Sequence, residues 1–233
     1  MKKSYILSGS IFLVVLVVAL LLVKIIWQEN PEKATTDLGT AAKAESFSPA
    51  SSPTISAEEK IIGSIKAPVK ILVYEDYSNA FSADVAQSVK KLEADFGNKI
   101  VVAFRPYAIK EKAASIEAAM AVECASEQGK WQEMRDSIFT AVKSNNLNSD
   151  QIKAEATKIG LDQTNFVKCL TDTEKQGIML QVATNAKEFS VYGAPTIFIN
   201  NELVVGARPY DDYLDEAGVK IQGLKSLIGR LIK

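Results

Sequence analysis

Cys124 and Cys169 are the only thiols in this 233-residue chain, and the chain has no histidine. A thiol pair can exchange disulfides, close a structural bond or supply half of a metal site. Exchange requires a thiolate to attack sulfur, and reactive thiols sit exposed in electropositive surroundings, often at a helix N-terminus. Cys124 falls near the end of one helical pattern and Cys169 late in another, 45 positions apart. Neither the spacing nor the setting is that of a redox-active pair. The lack of histidine removes Ser-His-Asp and Cys-His catalysis, and with them most zinc and haem sites. Two cysteines cannot complete a four-thiolate metal site or a disulfide framework. No metal and no cofactor are therefore expected. A formal charge of -1 provides no basic surface for nucleic acid.

The elements that carry these residues follow from residue periodicity. Val69–Tyr74 is a β-branched run after Pro68 and predicts a strand. A polar break from Glu75 to Asn79 follows. Val85, Val89, Leu92 and Phe96 then recur at helical spacing, stopped by Gly97 and Asn98. Ile100–Phe104 predicts a second strand, ended by Pro106. Strand, helix and strand in that order imply a parallel pair with a crossover helix. A helical block comes next. Ile116, Met120 and Cys124 share one helix; Trp131, Met134 and Ile138 mark another. Ile152, Ala156 and Ile159 mark a third, closed by Gly160. Asp162 suits an N-cap, with Leu161 and Phe166 spaced as a hydrophobic staple. Met179, Val182, Ala186 and Phe189 carry a longer helix. Strands return at Thr196–Ile199 and Leu203–Val205 around an Asn200–Asn201 turn. Leu224, Leu227, Ile228 and Leu231 give an amphipathic C-terminal helix.

The N-terminus reads differently. Lys2 and Lys3 precede an apolar run from Ile6 to Val23, close to the roughly 20 residues that cross a bilayer. Lys24 is placed to snorkel and Trp27 to sit at the far interface. No small-x-small cleavage site follows, which favours an uncleaved anchor over a signal peptide. Residues 1–28 are thus expected to form a transmembrane anchor with a cytoplasmic N-terminus and an extracytoplasmic body. Residues 29–56, rich in Ala, Thr, Ser, Glu, Lys and Pro, are expected to be a flexible spacer, and residues 57–233 the folded domain.

The order β-α-β, helical block, β-β-α resembles the DsbA-like branch of the thioredoxin superfamily. The segments that carry the resemblance are Ala67–Val69, Asp76–Tyr77, Ala125–Trp131 and Tyr192–Asn200. It implies an α/β thioredoxin-like fold with an inserted α-helical domain over about 110–190. It also implies a cis bond at Pro195, which would face the site, and a backbone at Ala194 that binds extended peptide beside Phe81. The family's Cys-x-x-Cys falls on Asn79, Ala80, Phe81 and Ser82, so both thiols are missing. The buried glutamate expected six residues before the first of them falls on Val73. Asn79 and Ser82 have types that suit helix capping or a polar ligand contact at the helix N-terminus. In this family a second, structural disulfide lies in the inserted block, which makes a Cys124–Cys169 bond the expectation, against two buried free thiols.

Together these readings favour a membrane-anchored, redox-inactive chaperone or adaptor for unfolded or extended exported polypeptides, or a dedicated partner of a membrane complex. Two enzymatic alternatives stand beside it. One is a thiol-disulfide oxidoreductase working through Cys124 or Cys169. The other is a glutathione-binding transferase or isomerase in which Asn79 or Ser82 orients the thiolate.

Overall fold

In the computed structural model, which describes residues 51–232, the two expected strands lie side by side. β2 (Val69–Glu75) and β3 (Ile100–Pro106) are parallel, with Val69 opposite Ile100 and Glu75 opposite Pro106. The crossover between them is α1 (Ala80–Phe96). β4 (Thr196–Ile199) pairs antiparallel with β2, and β5 (Glu202–Val205) antiparallel with β4. Asn200 takes a left-handed conformation, φ 53°, in the turn between them, as that residue type allows.

One strand escapes the periodicity. β1 (Lys60–Gly63) pairs antiparallel with β3 and completes a sheet of order β1-β3-β2-β4-β5. Four residues with no alternation carry too little pattern to mark an edge strand. A second small sheet, β6 (Tyr213–Leu214) with β7 (Lys220–Ile221), is shorter still.

The helical block is α2 (Ala113–Ser126), α3 (Trp131–Lys143), α4 (Ser149–Lys158), α5 (Gln163–Leu170) and α6 (Thr173–Asn185), with a 3-10 turn over Ala186–Phe189. Asp162 caps α5 by accepting from Asn165 N, and Leu161 and Phe166 are both buried. The expected long helix through Phe189 instead tightens after Asn185 into the 3-10 turn. The C-terminal helix, α7 (Leu224–Gly229), is shorter than its pattern, and Leu231 lies beyond it, partly exposed. Its start is pinned by Gly223, where a Cβ would come within 2.3 Å of the Asp211 backbone.

Strand alternation sorts the core into two sides. Val69, Ile71 and Val73 face Val85, Val89 and Leu92 of α1 and Leu224, Leu227 and Ile228 of α7. Leu72 and Tyr74 face the opposite way, against Ala183, Ala186 and Phe198. Burial of each Val, Leu or Ile side chain contributes about 1.5–3 kcal/mol, so α1 is held chiefly by this stripe rather than by its intrinsic propensity. The helical block has its own core around Met120, Met134, Ile138 and Phe166.

The anchor expected over residues 1–28, and the spacer as far as residue 50, lie outside the described residues. Among the described residues no helix is long and apolar enough to cross a membrane. The last part of the expected spacer lies on the domain. Pro53 is buried, Ile55 packs against the Leu72 and Tyr74 side of the sheet, and the Thr54 carbonyl accepts from Arg105 Nη2 at 2.6 Å.

Candidate functional site

The C-terminal end of β2 delivers the chain directly into the N-terminus of α1. Asn79 is the N-cap there. Its extended backbone (φ -112°, ψ 127°) lets Oδ1 accept from Phe81 N at 2.8 Å, satisfying one of the donors that every helix start leaves open. The other end of the same amide reaches across the site: Nδ2 donates to the Ala194 carbonyl at 3.4 Å, a long bond that brings α1 and the loop before β4 together. The Ala194–Pro195 peptide bond is cis. Around it, Thr196 Oγ1 donates to the Gly193 carbonyl at 2.8 Å and Gly206 N donates to the Pro195 carbonyl at 3.0 Å. Asn79, Ala194 and Pro195, singled out from far-apart segments of sequence, are thus neighbours.

Ser82 behaves differently from expectation. It is fully buried and its hydroxyl has no hydrogen-bond partner among the described residues, so it caps nothing. It lies three residues before Val85 and seven before Val89, on the stripe of α1 that faces the sheet, which turns it inward. Ala80 and Phe81 face outward; Phe81 is 63% exposed, and Tyr192, two residues before Ala194 in the chain, is 76% exposed. Large exposed aromatics are the informative exceptions on a protein surface.

Val73, at the position expected for a buried acid, packs in the core against α1 and α7. A buried acid stands two residues further on, and the polar break expected from Glu75 is corrected. Glu75 belongs to β2, not to a polar break, and is 0% exposed. It shares the Val69, Ile71 and Val73 side of the strand by parity. Arg135 of α3, 1% exposed, meets it in a two-point contact: Nη2 to Oε1 at 2.6 Å and Nε to Oε2 at 2.8 Å. The guanidinium also lies 4.2 Å from the Phe104 ring centroid and 5.1 Å from that of Phe139. Burial pushes the Glu75 carboxyl above its ordinary range, with the Arg135 charge and hydrogen bonds pulling the other way. Burial would lower the Arg135 pKa, but the charge and hydrogen bonds of Glu75 outweigh it and the net shift is upward. The guanidinium is therefore charged and both its partner oxygens are occupied.

Next along the chain, Asp76 is also buried. Its Oδ1 accepts from Ser78 N at 2.9 Å, Ser78 Oγ at 2.7 Å and Ser115 Oγ at 2.8 Å, and Ser115 Oγ in turn accepts from Ile109 N. Lys112 Nζ lies 3.4 Å from Oδ2. Asp76 thereby ties the turn before Asn79 to the start of α2. Tyr77 fills the helical-block core against Phe139, and burial pushes its phenol well above the usual range. From sequence, Asp76 entered only through the resemblance and Glu75 only as part of a polar break. For Glu75 the usable signal was phase: a charge in register with the apolar side of its own strand.

Cys124 (α2) and Cys169 (α5) are bonded to each other, with Cα atoms 5.7 Å apart. Both are buried within the helical-block core, and the chain has no other cysteine. The structure places them in the block, not with Asn79 and Pro195.

This arrangement, a cis proline facing the N-terminus of the first crossover helix with a helical block inserted after β3, is matched by known proteins. The thioredoxin family model matches residues 56–215. The chain belongs to the thioredoxin family. Within that family its fold is DsbA-like. It is similar to BdbD from Bacillus subtilis (16% identity, TM-score 0.62, covering 81% of this chain and 97% of that one). It is also similar to the thiol-disulfide exchange protein alpha-DsbA2 from Wolbachia pipientis (22%, TM-score 0.57, 74% and 85%). At these identities the likeness concerns fold. Among curated proteins, this thioredoxin-family chain is 28% identical over 160 residues to the Na(+)/H(+) antiporter NhaA 3 of Salinispora tropica, spanning 68% of this chain but only 23% of that relative.

Asn79→Ala removes both contacts of the site amide. It should lower stability by about 1 kcal/mol, the usual worth of an N-cap, while Asn79→Asp, which keeps the capping oxygen, should retain most of it. Urea unfolding of the two variants checks this; equal losses would show that the capping oxygen is not what stabilises the helix start.

Proposed function

We propose that this protein is a membrane-anchored, extracytoplasmic DsbA-like module that binds extended polypeptide beside Pro195 and performs no disulfide exchange. The observation that carries the reading is the state of the site amide. Where family enzymes place their attacking thiol, Asn79 spends Oδ1 on the helix cap and Nδ2 on the Ala194 carbonyl. Neither atom can attack sulfur, and an unactivated serine hydroxyl at Ser82 has no neighbouring base to help it. Both thiols of the chain are consumed in the Cys124–Cys169 bond. The exposed Phe81 and Tyr192 rings and the backbone at Ala194 supply a surface for an extended chain, aromatic contact on the sides and main-chain hydrogen bonding between them. The apolar run from Ile6 to Val23 supports the anchored, extracytoplasmic placement.

The test is disulfide exchange by the full chain in detergent, run beside the Asn79→Cys/Ser82→Cys variant. The natural chain should not accelerate reduction of a protein disulfide by dithiothreitol above background, and the variant should do so clearly. Exchange by the natural chain, abolished by Cys169→Ala, would transfer the activity to the other cysteine pair and end the proposal. Binding is read separately, from broadening of Phe81 and Tyr192 NMR signals when a reduced, unfolded polypeptide is added. Unperturbed signals at saturating polypeptide would remove the peptide-binding part.

A further inference from the structure

One well-formed cleft lies away from Asn79 and Pro195. It opens at the β1 side of the sheet, between the strand ends and the helical block, with a volume of about 650 Å³. That lies within the usual size of small-molecule sites. Its apolar surface comes from Phe104, Trp131, Met179 and Val182, drawn from β3, α3 and α6. The Phe104 and Trp131 rings are packed at 5.6 Å, so this surface is built by contacts across elements.

The charged groups of the cleft do not balance. Four carboxylates line it, Glu58, Glu59, Glu123 and Glu188, against two cations, Lys60 and Arg105. Both cations are committed. Lys60 Nζ lies 2.5 Å from Glu123 Oε2. Arg105 gives Nε and Nη2 to Glu59, Nη1 to the Tyr74 hydroxyl and Nη2 also to the Thr54 carbonyl. Those two pairs neutralise each other. Glu58 and Glu188 are left, both exposed and neither in an ion pair among the described residues. The result is an aromatic and aliphatic surface, two neutralised ion pairs, and two exposed carboxylates that no cation among the described residues pairs.

We infer that this cleft is a second binding site, for a cation on an apolar body: an organic amine, or the lysine or arginine side chain of a polypeptide. The apolar body would lie against Trp131 and Met179. The charged head would remain with Glu58 and Glu188, where its water is only partly removed. The site is independent of the peptide surface beside Pro195, since none of its lining residues belongs to that surface, and one can fail without the other.

The probe is 4-phenylbutylamine, with 4-phenylbutanoate as its anionic counterpart, titrated into the full chain carrying 5-fluorotryptophan. The 19F signal of Trp131 is assigned with Trp131→Phe, and calorimetry supplies an affinity independent of the label. The amine should shift the Trp131 signal saturably, and the carboxylate should bind at least tenfold more weakly. Glu58→Gln/Glu188→Gln should weaken the amine at least tenfold without changing the melting temperature, because both side chains are exposed. A pair of short peptides differing only in lysine against norleucine distinguishes the sources: preference for the lysine peptide over the free amine assigns the site to polypeptide, the reverse to a small amine. Equal binding of amine and carboxylate, no saturable shift, or an unaffected double variant would overturn the inference.

Discussion

Arg135→Ala should destabilise the protein by about 3–5 kcal/mol, the range seen when one partner of a buried ion pair is removed. The truncation leaves the Glu75 carboxylate with no counter-charge, inside a region where it is 0% exposed. It also removes the cation stacked on Phe104 and Phe139. Glu75 would respond by taking up a proton, which burial already favours, so part of the loss should recover as pH falls toward the carboxylate range. Glu75→Leu/Arg135→Met should be far less damaging than either single truncation, because a buried pair exchanged for apolar groups of similar volume is often neutral or better. Urea unfolding of the natural chain, Glu75→Leu, Arg135→Met and the double variant forms a complete cycle, with Arg135→Ala measured beside it. An Arg135→Ala loss below about 1 kcal/mol would mean that the pair contributes no more than a surface contact.

The pair matters because of what it joins. Glu75 is the last residue of β2, four before Asn79, and Arg135 comes from the helical block. The contact fixes the block against the strand that aims the site. Asp76 does the same one residue later through Ser115 and Lys112. Two successive acids at one strand end therefore hold the α1 N-terminus in position from two elements of the block. The helix start at Asn79 is thus positioned by side chains of the block as well as by the strand that leads into it.

The sequence displayed the elements better than it displayed this framework. α3 was legible from Trp131, Met134 and Ile138, and α5 from Asp162 with its staple, because helix phase and caps are local signals. Asn79 and Pro195 could be placed together only through the family resemblance, since no local rule links residues 116 positions apart. Glu75 and Arg135 were passed over because charged residues default to the surface. Yet Arg135 stands four residues after Trp131 and three before Ile138, inside the apolar stripe. Glu75 likewise stands in parity with Ile71 and Val73. Opposite charges each in phase with a buried stripe were the available signal for a buried pair. β1 and the β6–β7 pairing had no comparable signal, because strands of four and two residues are too short for alternation to show.

Removing the second cross-link should have an effect of similar size and a different origin. The Cys124–Cys169 bond closes a loop across 45 positions, and on chain-entropy grounds such a closure stabilises by about 4 kcal/mol, by restricting the unfolded chain. Cys124→Ala/Cys169→Ala should therefore lower the melting temperature by roughly 8–16 °C for a domain of this size. Vacating two sulfurs in the core around Met120 and Phe166 adds a smaller packing loss. Because α2 and α5 still pack through the same core, the variant should keep its native circular dichroism and the Asn79–Ala194 contact. That separates this bond from a redox centre, whose removal abolishes exchange activity. The bond is buried, so reductant should act slowly on the folded protein and quickly once it is partly unfolded. Thiol counting during urea unfolding in dithiothreitol reads this directly. Rapid reduction in the absence of urea, with an unchanged melting temperature, would mark the pair as an accessible redox couple and contradict the structural role argued here.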